Sequence, residues 1–322
     1  MTWNKREREV RGEIMRTDVF VQLFSETRDA VSMEKDLDRA FGMFRDFEFR
    51  FSRFREGNEL AALNRASVCT VSDELYEILS LCRKYHGETE GVFDPTILPA
   101  LEREGYRSSF GTEGFGIPSE ERVGRQYAFS DIRIDDATRS VSKPIDCRID
   151  LGGIGKGYIV GRVARMLAEH YRDFVVDAGG DMYVAGRNRD AHVPYFVIGI
   201  ENVFQEDSNA GLLLLSDQAV ATSGVNRRRW RDADGQEKSH LIRAEKGASV
   251  SGDILTATVL DPYAVRADVM AKTLCILGSE KGRCFARQHR LPALFLLKDG
   301  TMEVNELMKP YLWKDDTSFL ES

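Results

Sequence analysis

The chain has 322 residues, too many for one small hydrophobic core and enough for one large domain or two interlocked ones. Its composition, 42% hydrophobic and 30% charged, is that of an ordinary soluble protein, and a net charge of −7 with a pI near 5.5 excludes a general polyanion-binding surface. The five cysteines, Cys69, Cys82, Cys147, Cys275 and Cys284, include no Cys-x-x-Cys pair, which argues against a zinc site or a disulfide framework.

The first nine residues are highly charged and lack an apolar leader core, and no apolar run approaches transmembrane length. A reducing, cytoplasmic setting is expected. Residues 1–14 read as a charged arm, and 15–322 as one domain made of two intertwined parts. Val19–Phe24 is rich in Val and Phe and predicts a strand. Ser32 begins a helix that runs to about Phe54, with Leu37, Phe41, Phe44 and Phe47 at helical spacing. Ser72, followed by Asp73 and Glu74, caps a second helix, because a serine oxygen and early acids satisfy free N–H groups. Residues 104–128 read as a long loop, and a hairpin follows around Asp135–Thr138.

Ile145–Leu151 leads into a helix reaching about Tyr171. Short strands are expected at Phe174–Val176, Tyr183–Ala185 and Tyr195–Ile200. Gly211–Thr222, Arg228–Trp230, His240–Arg243 and Leu255–Leu260 continue an antiparallel pattern. The basic group Arg227, Arg228, Arg229 and Arg231 reads as a solvated strand face. Helices over Ala264–Gly278 and about Glu280–Gln288 precede a hairpin turning at Asp299-Gly300. The elements alternate without a regular βαβ rhythm, so the fold class is α+β.

Chemistry concentrates at Asp150-Leu-Gly-Gly-Ile-Gly-Lys-Gly157. Glycines admit close backbone approach, and a helix start favours an anion. Lys156 adds a point charge, and Asp150 offers a carboxylate to a metal or a hydroxyl. Neither a Walker A nor a Gly-x-Gly-x-x-Gly register fits. A plain turn with a solvated lysine accounts for these eight residues equally well. Four other groups stand beside it: Phe93-Asp94-Pro95-Thr96, Asp177-Ala-Gly-Gly-Asp181, Ala221-Thr-Ser-Gly224, and the pair His240 and Asp268. Each alone also describes a turn, a strand end, a surface histidine or an acid in the first turn of a helix.

Taken in order, these segments resemble the ApbE family of FAD:protein FMN transferases from about Met15 to Gly278. Phe51-Ser-Arg-Phe54 with Glu59-Leu-Ala-Ala-Leu-Asn64, Gly91–Thr96, Asp150–Gly157, Gly179–Asp181 and Ala221–Gly224 carry the resemblance. It implies two interlocked α+β halves, T-fold-like, with FAD extended in the cleft between them. It also implies that Met15 and Phe54 pack near the flavin, that Val92, Phe93 and Asp94 line the cleft, and that Asp150 and Lys156 contact FAD. Gly180, Thr222, Ser223 and Leu255 complete the implied FAD contacts. Mg²⁺ would be held by the Gly153 carbonyl, Asp268 and the Ala271 carbonyl. His240 matches the active-site histidine, and His240, Asp181 and Lys156 are the implied catalytic set, with His240 or Asp181 taking the proton of a target Ser or Thr hydroxyl. FMN would become linked through a phosphoester and AMP would leave.

Three positions depart from the family pattern. Arg16 replaces a glycine, Arg243 replaces an aspartate three residues after His240, and Lys272 replaces a threonine ligand four residues after Asp268. A charged ammonium has no lone pair for a metal, so the expectation is weakened metal dependence, with Lys272 in the cation's place. The alternatives are an FAD pyrophosphatase releasing FMN and AMP, and an FAD-binding protein without chemistry.

Overall fold

In the computed structural model, which describes residues 6–108, 115–116, 126–188, 193–226, 229–232 and 235–313, the chain begins with a hairpin. β1 (Arg6–Ile14) pairs residue for residue with β2 (Thr17–Ser25). Met15 and Arg16 form the two-residue turn, each with φ 56°. Two successive left-handed residues give the turn a twist that matches its strands. The charged-arm reading is therefore corrected from Arg6 onward. Glu7, Glu9, Arg11 and Glu13 face solvent, while Val10, Gly12 and Ile14 face inward, the period-two pattern of an edge strand protected by charge.

The chain continues through α1 (Ala30–Phe51), α2 (Glu59–Arg65), β3 (Val68–Thr70), α3 (Asp73–Glu88), α4 (Leu98–Arg103), β4 (Arg133–Asp135) and β5 (Ser140–Ser142). After α5 (Gly155–Ala168) come β6 (Asp173–Ala178), β7 (Asp181–Ala185), β8 (Phe196–Glu201), β9 (Asn209–Leu215) and β10 (Gln218–Gly224). Four short strands follow: β11 (Arg229–Arg231), β12 (Glu237–Ser239), β13 (Ile242–Arg243) and β14 (Ala248–Ser249). β15 (Ile254–Asp261), α6 (Ala264–Leu277), α7 (Ser279–Gln288), β16 (Ala293–Leu297) and β17 (Met302–Val304) complete the described elements.

The main sheet has the order β1-β2-β6-β7-β10-β15-β16-β17, and each neighbouring pair is antiparallel. One face carries α1, α5 and α6 over a core that includes Val21, Phe44, Val160, Val176, Ala257 and Met270. The other face is covered by the β8–β9 hairpin, through Phe196, Ile200, Leu213 and Leu215 against Val184, Val220 and Leu294. α6 is buried on nearly all sides because it lies between β10, β15 and α5.

Several boundaries differ from the sequence reading. Asp29, not Ser32, caps α1, accepting the Ser32 amide at 2.8 Å, and the helix ends at Phe51 rather than Phe54. Gly211–Thr222 is two strands rather than one. The chain turns at Ser216-Asp217, with Asp217 at φ 50°, and β9 leaves for the second layer while β10 joins the main sheet. Asp268 lies beyond the first turn of α6. Ile145–Leu151 is irregular backbone, so no strand leads into the glycine-rich loop. Of the basic group, Arg229 and Arg231 are exposed on β11, while Arg227 and Arg228 lie outside the described residues, as does much of the 104–128 loop.

Candidate active site

Three cavities of about 250, 100 and 540 Å³ meet at Gly152. The first runs along the strand ends, past Gly180, Thr222, Ser223 and Lys156. The second lies between Phe54, Val92, Phe93, Asp94 and Gly153. The third opens toward Met15, Arg16 and Phe54. Asp150 lines the second and third cavities, while His240 and Lys272 line the first and second. Most of the residues singled out from the sequence thus border one branched cleft. Leu255 does not. It lines an adjoining cavity of about 700 Å³ that shares Glu201 and Asn226 with the first.

The loop of Asp150–Gly157 is held from both sides. Asn64, the last residue of Glu59-Leu-Ala-Ala-Leu-Asn64, acts as a side-chain rung for Ile149. Its Nδ2 donates to the Ile149 carbonyl at 2.9 Å, and its Oδ1 accepts the Ile149 amide at 2.7 Å. The Asp150 amide donates to the Pro95 carbonyl at 2.8 Å, which ties the loop to Phe93-Asp94-Pro95-Thr96. Asp150 Oδ1 accepts the Gly152 amide at 2.8 Å, and α5 starts at Gly155.

Two lysine–carboxylate pairs lie at the start of α5. Lys156 Nζ is 2.6 Å from Oδ2 of Asp181, whose side chain is 2% exposed. Asp181 Oδ1 has no hydrogen-bond partner among the described residues. Asp268 is fully buried. Its Oδ1 pairs with the Lys272 ammonium one helical turn on, and its Oδ2 accepts the Gly157 amide at 3.0 Å. Burial, and after it the charge of Asp181, raises the Asp268 pKa above the usual carboxylate range, while Lys272 and Lys156 oppose the shift. Asp177, in the tight turn that brings β6 into β7, is pushed up to about 6 by burial and by Asp181. Gly179 and Gly180 make that turn, with φ of 66° and 90°.

The donor set implied for a divalent cation does not fit one here. Both Asp268 oxygens are engaged, Ala271 is fully buried, and the Lys272 stem passes beside Gly153, 3.9 Å from where a Cβ on that glycine would sit. No group of three or more His, Cys, Asp or Glu converges to hold a metal among the described residues.

The other singled-out positions divide between cleft and scaffold. His240, between β12 and β13, is half-buried at the junction of two cavities. Asp94 borders the cleft, but its carboxylate is engaged locally. It accepts from the Thr96 amide at 2.8 Å, the Thr96 hydroxyl at 2.6 Å and the Phe129 amide at 3.0 Å, with His86 Nε2 at 3.2 Å. Arg243 lines a different cavity from His240. Its Nη2 donates to the Ile276 carbonyl at 2.9 Å, at the C-terminal end of α6. Cations are favoured there by the unsatisfied carbonyls.

Sequence reasoning assigned no role to Arg53. Its Nε lies 2.8 Å from Asp150 Oδ2, both side chains are nearly buried, and its guanidinium stacks on Phe54 and Tyr106 at 4.1 and 4.5 Å from the ring centroids. Only its position in Phe51-Ser-Arg-Phe54 marked it. Nothing local predicts a partner about a hundred residues away.

A model of the ApbE family matches residues 15–295. The FAD:protein FMN transferase of Vibrio cholerae is 28% identical over 298 residues, covering 89% of this chain and 86% of that protein. That of Treponema pallidum is 24% identical over 300 residues, covering 87% and 81%. Among solved structures, the ApbE protein of Thermotoga maritima superposes with a TM-score of 0.85 at 22% identity, over 96% of this chain and all of that one. The apo flavinyl transferase ApbE of Pseudomonas stutzeri gives 0.80 at 21% identity, over 95% and 97%. These likenesses show the shared α+β fold.

Proposed function

The chain belongs to the ApbE family, and we propose that it is an FAD:protein FMN transferase. The observation that carries this reading is the meeting of Asp150, Lys156, His240 and Lys272 at Gly152, from segments far apart in sequence. A long branched cleft suits an extended dinucleotide, and its two lysines suit a pyrophosphate. On this reading the chain from Arg6 onward is one domain whose two halves share the cleft, and the setting is reducing, consistent with five free thiols. No described helix is long and apolar enough to cross a membrane.

The reaction is an in-line displacement at phosphorus. A Ser or Thr hydroxyl of the acceptor protein attacks the flavin-side phosphorus. The bond to the bridging oxygen breaks, AMP departs with that oxygen, and FMN stays on the acceptor as a phosphoester. Of the two bases implied by the sequence, we assign proton removal to His240. It borders open cleft, whereas Asp181 is buried and neutralised by Lys156. Lys156 orients the phosphates by a fixed positive charge at a helix start. Phe54, stacked by Arg53, is the flavin-side wall, and Asp150, paired with that arginine, fixes the loop.

The test is to incubate the protein and FAD with an extract of the source cells depleted of it, then denature and separate the proteins. In-gel flavin fluorescence on an acceptor band, lost with His240→Ala, supports the reading. Its absence in both samples, with FAD intact, overturns it.

A further inference from the structure

We propose that the Lys272 ammonium is the resident cation of this cleft, so that the protein handles FAD without a divalent metal. The inference rests on the FAD reading above and adds the cation requirement to it. Lys272 lines both cavities that meet at His240, and its stem runs beside Gly153. Its charge is matched to Asp268, a carboxylate with no exposure, whose second oxygen is held by the Gly157 amide.

Charge accounting separates this arrangement from a metal site. Asp268 with Lys272, and Asp181 with Lys156, each sum to zero, and so does Asp150 with Arg53. A pyrophosphate entering the cleft meets neutralised carboxylates, and no divalent ion is needed to cancel them. A Mg²⁺ ion seeking Asp268 would have to eject the ammonium from a site where its side chain is only 10% exposed. The displaced ammonium would then have to find new partners in the same cleft, beside the incoming cation of like charge. Mg²⁺ also dehydrates reluctantly and demands near-octahedral oxygen ligands. Replacing Lys272 by threonine removes the ammonium, frees Asp268 Oδ1 of its partner and adds a hydroxyl oxygen.

The experiment measures thermal unfolding of the full chain without FAD, in EDTA and across a Mg²⁺ titration, for the native protein and for Lys272→Thr. FAD affinity is measured under the same conditions by flavin fluorescence. The native protein is expected to show no Mg²⁺-dependent shift in melting temperature, and an FAD affinity equal within twofold with EDTA and with Mg²⁺. Lys272→Thr is expected to lose at least tenfold in FAD affinity in EDTA, and to gain a saturable Mg²⁺-dependent stabilisation that restores binding. A saturable Mg²⁺ shift in the native protein overturns the proposal, and that arm needs no variant. So does a Lys272→Thr protein that folds and ignores Mg²⁺. The unfolding arm contains no FAD, so it reads the cation site even if the flavin reading fails.

Discussion

The Gly157 amide reaches Asp268 Oδ2 at 3.0 Å because glycine lets α5 lie against the backbone of α6. A Cβ at Gly157 would fall 2.5 Å from the Ala264 carbonyl oxygen and 2.8 Å from Val265 Cα. Those are backbone atoms of a packed helix and cannot swing aside. Gly157→Ala is therefore expected to push the helices apart and strip a buried carboxylate of its N–H. The cost is on the order of 3 kcal/mol, read as a lower denaturant midpoint at unchanged slope. An unchanged midpoint would show that the contact is loose.

Lys156 and Asp181 form the second buried pair, and its structural and chemical roles separate in a double variant. Lys156→Met leaves the Asp181 carboxylate nearly buried without its cation, and stability is expected to fall by roughly 3 kcal/mol. Adding Asp181→Asn removes the stranded charge and is expected to recover most of that loss. FMN transfer should stay depressed in the double variant, because the phosphate-facing charge is still missing. Recovered transfer would assign Lys156 a purely structural role.

Asp177 predicts a pH dependence. Its folded pKa of about 6 lies above the ordinary aspartate value of 3.8, so the folded state binds the proton more tightly than the unfolded chain. Linkage then makes this group a penalty that is fully present above about pH 6 and relieved as pH falls from 6 toward 4. Asp177→Asn keeps an acceptor for the Gly180 amide, now bonded at 2.8 Å, and removes the charge. It is expected to stabilise the protein at neutral pH by up to about 3 kcal/mol, two pKa units' worth, and to flatten this part of the stability profile. Denaturant melts across that range check it, and parallel profiles for the two proteins would refute it.

Arg243 is expected to matter for stability and not for chemistry. Its guanidinium holds the Ile276 carbonyl at the end of α6. Arg243→Ala should cost about 1 kcal/mol, the worth of a charged group at a helix C-terminus, and leave kcat within twofold. A large drop in kcat with an unchanged melting temperature would place Arg243 in the reaction after all.

The glycine-rich turn ahead of α5 was legible in the sequence because its signal is local: glycines and a lysine at a helix start. The paired strands β6 and β7 were legible for the same reason, since Gly179 and Gly180 supply the positive φ of their turn. The edge strand β1 was not, because its inward face is only Val10, Gly12 and Ile14 and the charges hide the period. The Arg53–Asp150 and Lys156–Asp181 pairs were not legible either, since each joins separate segments and pairing at that range is set by packing. Nor was the partner of Arg243 legible: the sequence marked only a lost aspartate after His240, while the guanidinium reaches the Ile276 carbonyl at the end of α6.

The most direct test of the central claim is product accounting. Protein, FAD and an acceptor identified by in-gel fluorescence are incubated, and AMP, free FMN and protein-bound flavin are quantified together. The transferase reading predicts one AMP for each flavin bound to a Ser or Thr of the acceptor, and no free FMN. Free FMN equal to AMP would contradict it in favour of hydrolysis, and FAD bound but unconsumed would contradict it in favour of a protein that only binds.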